Sequence, residues 1–408
     1  MNDADQLKGT QRVALSGEFK RHLTSSFIAN LILPIFYLFL PLLAYRLGAS
    51  VFEIGLVGGA SNAVYSFLPF VMGHYSDRQG ARKFFIALSF ATLSIVSILY
   101  TVIANPIALI VARMFEGIGW AMLWPAVEAA ISNDVSGDSK RSLSIFNLTW
   151  SFAAAIGPLV GAALIFLVSI RFAFIVTSII LLGTLVLNLY PIFSKSTQSD
   201  PPPRTGYSEQ PSYDTSAPLP QIRASFYLIS TALAAVSSGV LFTFFSPYAR
   251  SIGISILLIG VITFVYGFAR FFVYVLTVKV RFRAFILNPS YRKKNMIAAL
   301  VLMSLSSLLL LAHDSTGLIY LAAYAIVGAG YSVIYAVSQA ALVAETTPEK
   351  AGKGAGLFES SIGVGSSLGP VVAGLISGSS LTTPFLLPSI SLVVLLAILP
   401  FASRKKTA

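Results

Sequence analysis

Residues 106–131 read PIALIVARMFEGIGWAMLWPAVEAAI, a run of 26 residues that is apolar apart from Arg113, Glu116 and Glu128. At about 1.5 Å of rise per residue, a helix of this length crosses a hydrocarbon core of ~30 Å. An ionisable group at bilayer depth costs on the order of 3 kcal/mol, so it turns toward protein or water. At 100° per residue, Arg113, Glu116, Gly117, Trp120, Trp124 and Glu128 share one stripe roughly 120° wide. That stripe cannot face lipid. Two of the three tryptophans lie on it, well inside the run and away from the headgroup level where aromatic belts form.

Runs of this kind recur along the chain. Spans are predicted near 25–46, 51–72, 84–104, 106–131, 142–168, 171–193, 225–248, 254–278, 295–313, 316–343, 354–378 and 383–402. The composition agrees: 56% of the 408 residues are hydrophobic and 11% are charged, where a soluble chain carries roughly 25% charged residues. An ordinary soluble enzyme and a disordered chain are both excluded. With no cysteine there is no disulfide, thiolate metal site or thiol nucleophile.

The net charge of +12 finds its explanation in topology. Of the 28 Lys and Arg residues, 23 fall on the side of the two termini and only Arg46, Arg171 and Arg250 on the other, with Arg113 and Arg270 inside spans. Basic residues gather on the cytoplasmic side of membrane proteins. Both termini are therefore expected in the cytoplasm, the chain in the plasma membrane, and no nucleic-acid partner is needed. The first 24 residues are too polar for a cleavable signal, so the first span is expected to serve as an uncleaved one.

The chain divides in the middle. Residues 194–223 hold Pro201, Pro202 and Pro203 among Ser, Gln and Tyr, and read as a cytoplasmic linker. Six spans lie on each side, giving an N-terminal bundle over 1–193 and a C-terminal bundle over 224–408. A shift of 211 residues lays Gly117, Gly119, Trp120, Trp124 and Glu128 over Gly328, Gly330, Tyr331, Tyr335 and Gln339. One further residue of shift lays Gly157 and Pro158 over Gly369 and Pro370. This is the mark of duplication, as in transporters of two parallel six-helix halves.

Polar faces recur at equivalent places. Span 10 carries Tyr320, Tyr324, Tyr331 and Tyr335; span 1 carries Asn30, Tyr37 and Tyr45; span 7 carries Tyr227, Ser230, Thr231 and Ser238. The faces of spans 1, 4, 7 and 10 either line one aqueous pathway or bind helices together by hydrogen bonds. On the first reading the substrate cavity is lined by Asn30, Tyr37, Arg113, Trp120, Trp124, Tyr227, Tyr324, Tyr331 and Tyr335. Arg113 and Glu116, three apart, can pair, and a Glu116 that releases Arg113 could carry a proton. Arg270 of span 8 and Glu359 of span 11 are expected to form an interhelical ion pair. His22, His74 and His313 stand at span ends or in loops, unsuited to a relay or a metal site.

The segment GHYSDRQGARK, Gly73 to Lys83, resembles the loop signature of the major facilitator superfamily, G-x-x-x-D-R-x-G-R and a basic residue. Gly73, Asp77, Arg78 and Gly80 match; Ala81 stands where the family has arginine, which leaves that arginine's charge partner, such as Asp134, without its mate. Arg113 followed by Gly117 and Gly119 resembles the family's span 4 motif, which is associated with proton coupling. Gly157, Pro158 and Gly161 are similar to the G-P-x-x-G element common in proton-driven exporters. The resemblance implies an all-α membrane protein of twelve spans in two pseudo-symmetric bundles, rocking about a central site. It also implies a conformational latch from Asp77 to the start of span 11, near Lys353 and Gly354, and bending or close approach at the glycine-proline pairs.

The expected function is a monomeric secondary transporter, a proton-coupled exporter of small amphipathic or aromatic compounds, with the lipid bilayer as its medium and no cofactor or metal. An importer or uniporter of a sugar or organic anion is the nearest alternative, with Arg113 as counter-ion. An intramembrane lipid-modifying enzyme would need a nucleophile, acid–base or metal cluster that the sequence does not offer. No phosphate-binding G-x-x-x-x-G-K-[ST] motif is present to support ATP-driven pumping.

Overall fold

A computed structural model of the protein describes residues 16–69, 71–72, 82–132, 139–193, 224–278, 280–344 and 348–398. Linker residues 194–223, the loop glycines Gly73 and Gly80 with Asp77 and Arg78, and Asp134 lie outside the described residues. The helices are α1 Gly17–Arg46, α2 Val51–Tyr65, α3 Arg82–Val102, α4 Pro106–Ser132, α5 Ser139–Leu167, α6 Ile170–Phe193, α7 Ala224–Ser251, α8 Ile256–Val278, α9 Pro289–Leu308, α10 Leu318–Ala344, α11 Pro348–Ile376 and α12 Leu387–Ile398. Val280–Leu287 is a short extra helix between α8 and α9. Among the described residues, nine of these helices are long and apolar enough to cross a membrane. Helices α2, α11 and α12 are the others, and α2 and α12 are short within the described residues.

The fold is an all-α membrane protein of two pseudo-symmetric bundles. In the first, α1 packs on α5, α2 on α4, and α3 on α4 and α6; in the second, α7 packs on α11, α8 on α10, and α9 on α10 and α12. Hydroxyls zip the outer pairs. Ser97 donates to the carbonyl of Phe174 at 2.9 Å and Ser178 to that of Ser94 at 2.9 Å. Ser389 of α12 donates to Ser304 of α9 at 2.9 Å. Such bonds suit helices whose apolar surface gains little by leaving lipid for protein. Ile95, Leu99, Ile179, Val186, Leu302 and Leu305 remain on the outside, where acyl chains cover them.

The glycines matched by the internal repeat are contact points. A side chain on Gly117 would strike the Ser61 carbonyl of α2 at 2.5 Å, and one on Gly328 would strike that of Tyr266 in α8. Gly119 abuts Leu93, and Gly330 abuts Met303. Both α1 and α7 end at a glycine with positive φ, Gly48 at 79° and Gly253 at 87°, a conformation that costs other residues a Cβ clash. The next helices then start at Ser50 and Ser255, whose hydroxyls accept from the Glu53 and Leu258 amides.

Two long junctions join the halves, α2 with α11 and α5 with α8. They are one junction used twice. Gly55 of α2 meets the carbonyl of Pro370, and Gly260 of α8 meets that of Pro158, where an added Cβ would stand 3.1 Å away. A helical proline cannot bond the carbonyl four residues earlier. Of the carbonyls so released, that of Ala154 lies against Gly267 of α8 across the seam and that of Ser366 against Gly239 of α7 within its own half, with an added Cβ at 3.4 and 3.1 Å. The glycine-proline pairs thus serve close approach, one of the two roles expected of them.

We call lower the end at which α1 and α7 begin. Toward the upper end the halves also meet through α1 and α7, where Ser246 donates to the Leu38 carbonyl at 2.5 Å and both residues are buried. In a chain carrying Ser246→Cys, Gly55→Leu is expected to pry α2 from α11 and speed thiol labelling at least tenfold. The native chain has no cysteine to add background. Unchanged labelling would show that the upper end stays shut without this junction.

Candidate functional site

The upper half of the α4 stripe is dry. Arg113, Glu116 and Trp120 are 0%, 0% and 1% exposed. Glu116 accepts from Arg113 Nη1 at 2.5 and 2.6 Å, from the Tyr100 hydroxyl at 2.5 Å and from Trp120 Nε1 at 2.8 Å. Arg113 Nε donates to the Val57 carbonyl of α2 at 3.0 Å, and the guanidinium lies 5.1 Å from the Tyr37 ring centre. One arm, Nη2, has no hydrogen-bond partner. A buried ion pair holds when every remaining lone pair is satisfied, and Glu116 meets that condition.

The sequence expectation put Arg113 and Trp120 on a cavity wall; the structure places them in this solid contact. The stripe faces protein because Phe36, Tyr100 and Phe174 close over it, with Phe36 6.4 Å from Trp120 and 5.6 Å from Tyr100. Tyr37 is half-buried and donates to Asn62 at 2.7 Å. Asn30 donates to the Ser26 carbonyl of its own helix at 2.9 Å. Tyr324 is fully buried against Phe245 and donates to the Leu241 carbonyl at 3.2 Å, away from water. Tyr227 is 3% exposed. These placements fit the helix-binding alternative.

Lower down the character changes. Trp124 is half-buried, stacked on Trp120 at 6.1 Å and 9°. One turn on, Glu128 is exposed, as is Gln339 at the matching place of α10. Tyr331 and Tyr335 stack at 6.3 Å and 30°, with Tyr335 half-buried. Gly157 and Gly161 press on α1 at Leu31 and Ile35, while Gly369 presses on Val236 of α7.

The expected ion pair of Arg270 with Glu359 does not form; no ion pair among the described residues includes either. Arg270 is held by rings instead, 4.7 Å from Tyr331, 5.6 Å from Tyr266 and 6.0 Å from Trp150. Each contact of this kind contributes about 0.5–2 kcal/mol. Trp150 belongs to α5 of the other half, a cross-seam contact that span-by-span reading missed. Among the described residues no His, Asp or Glu group could hold a metal ion.

The profile of the Major Facilitator Superfamily matches the chain over residues 23–287 and 227–408. The protein belongs to that superfamily. It is a membrane transporter, not an enzyme. An uncharacterised transporter of the superfamily from Methanocaldococcus jannaschii is 21% identical over 342 residues, 82% of this chain and 84% of that one. A second from the same organism is 25% identical over 177 residues, only 42% of each chain. Among solved structures, the nucleoside transporter NupG shares 14% identity over 96% of this chain and 100% of its own, with a TM-score of 0.74. A bacterial homologue of the lysosomal transporter Spinster shares 17% identity over 94% of each chain, with a TM-score of 0.68. At these identities the likeness shows the superfamily fold.

Because Glu116 neutralises Arg113 away from water, Arg113→Met is expected to strand a buried carboxylate at a cost of about 3–5 kcal/mol. Thermal unfolding in detergent should register it as a large drop in Tm. A variant as stable as wild type would mean that water reaches this pair.

Proposed function

We propose that the protein is a proton-coupled exporter of small amphipathic or aromatic compounds, acting as a monomer in the plasma membrane with its lower end in the cytoplasm. What carries this reading is the uneven seam. Toward the upper end Ser246 donates to the Leu38 carbonyl with both residues buried, while lower down Trp124 and Tyr335 are only half-buried and Glu128 and Gln339 are exposed. A cavity open to the cytoplasm and lined by Trp124 and Tyr335 suits loading of an aromatic cargo from inside.

Coupling is assigned to Arg113 and Glu116. The hydrogen bond from Arg113 Nε to Val57 ties the pair to α2, and α2 is a seam helix. Protonating Glu116 would discharge its hold on the guanidinium and loosen α2 where it meets α11. Arg113, already neutralised, supports the importer reading less, since that reading needs it as a free counter-ion. The latch of Asp77 with the start of α11 remains part of the proposal on the strength of its motif.

In proteoliposomes, an imposed pH gradient is expected to drive uphill flux of aromatic test compounds by the wild type. Glu116→Gln should abolish that drive while sparing downhill exchange. Gradient-driven flux that survives the substitution would remove Glu116 from the coupling mechanism.

A further inference from the structure

The connection between α8 and α9, at the lower end, belongs neither to the seam nor to a span. Residues 279–294 read KVRFRAFILNPSYRKK, with Lys279, Arg281, Arg283, Arg292, Lys293 and Lys294 and no Asp or Glu. The 211-residue shift of the internal repeat lays Asp77 on Asn288, so this loop lacks the carboxylate of its first-half counterpart. Within it Val280–Leu287 is helical, about 12 Å long and far too short to span. Its last carbonyls are held from α9. Asn295 Nδ2 donates to those of Phe285 and Ile286 at 2.9 and 3.3 Å, and Arg292 Nε to that of Leu287 at 2.9 Å. These bonds satisfy groups that a helix end leaves open and fix the short helix against α9. Ile286 is 7% exposed, whereas Phe282, Phe285 and Tyr291 are 46%, 59% and 46% exposed. Phe285 and Tyr291 stack at 6.1 Å and 30°, and Lys294, about a turn further, is exposed as well.

Large exposed rings are unsuited to water, and a run of cations is unsuited to hydrocarbon. Both needs are met at the headgroup level, where an in-plane helix sinks its rings toward acyl chains and its cations reach phosphates. A basic cluster of this size beside a span end favours anionic headgroups. We propose that Val280–Leu287 and the start of α9 form an in-plane docking surface for anionic phospholipid. Phe282, Phe285 and Tyr291 lie in the acyl boundary, and the unbalanced positive charge, Lys294 included, faces the headgroups. The surface moors the lower end of α8, whose Gly260 and Gly267 lie against α5. Only the naming of this leaflet as cytoplasmic rests on the exporter reading above.

The native chain has no cysteine, so Phe282→Cys takes a single NBD label and leaves the stack of Phe285 on Tyr291 untouched. The labelled full chain is placed in phosphatidylcholine nanodiscs containing a small fraction of doxyl-labelled lipid, either phosphatidylglycerol or phosphatidylcholine. Emission is expected to be blue-shifted and quenched by a doxyl group near the head of the acyl chain. At equal fractions the phosphatidylglycerol probe should quench about fivefold more strongly. Adding Arg281→Gln, Arg283→Gln and Lys294→Gln should remove that preference and keep the phosphatidylcholine quenching, which reports that the short helix is still in place. Red-shifted emission without doxyl quenching would put the patch in water and overturn the proposal. Blue-shifted emission without doxyl quenching would mean that protein, a second copy included, covers the patch, and would overturn it too. Equal quenching by the two lipids, or a preference that survives the triple substitution, would refute recognition of the anionic headgroup. Each of these outcomes leaves gradient-driven flux, and with it the exporter reading, to be decided separately.

Discussion

The structure depends on backbone touching backbone across the seam. At Gly55 the backbone of Pro370 is the neighbour, and at Gly260 only the methyl of Ala162 accompanies the Pro158 carbonyl, so no large side chain stands between the halves. Hydrocarbon gives helices little reason to leave lipid for one another, so association rests on close van der Waals contact and on polar groups with nowhere else to go. Small residues allow the approach, and proline leaves an unbonded carbonyl one turn back. Such a junction is adhesive without being interlocked. Large interdigitating side chains would have resisted rocking, whereas smooth glycine faces let one half turn on the other.

That smoothness makes the charged core of the first bundle intelligible. Arg113 and Glu116 would be expensive if alone, yet they are neutral as a pair, with Glu116 held by Tyr100 and Trp120 and Arg113 Nε by Val57. The contact to Val57 reaches the backbone of α2, two residues from Gly55. A change of charge inside the bundle is therefore mechanically adjacent to the seam. Among the described residues the second bundle shows no buried Arg–Glu pair of this kind. There Arg270 is wrapped by Tyr266, Tyr331 and Trp150, so the pseudo-symmetry of backbones is not one of electrostatics.

Spans, duplication and the glycine contacts were legible because each depends on a local rule: length, shift, or the absence of a side chain. Helical phase also disclosed that the α4 stripe shuns lipid. It could not tell wet from dry, because a direction on a helix wheel does not name the neighbour. Phe36, Tyr100 and Phe174, from three other helices, decide that matter at Arg113 and Trp120. The same limit explains Arg270, whose aromatic partners come from α5, α8 and α10 in a register that no single span encodes. Glu359, assigned to an ion pair by polarity alone, makes none among the described residues.

Helix α4 joins these two environments. Glu116 and Glu128 are twelve residues apart, about 18 Å along a helix, and between them Trp120 and Trp124 stack almost face to face. Trp120 donates its N–H to Glu116, while Trp124 is only half-buried. A cargo placed on Trp124, as proposed, would have Trp120 between it and the carboxylate that holds Arg113. The stacked pair is stiff, since a shift of one ring disturbs the other and strains a charge-assisted hydrogen bond. In the proposed mechanism, cargo binding below and the buried charge above would bear on one helix, which is what coupling between two sites requires physically.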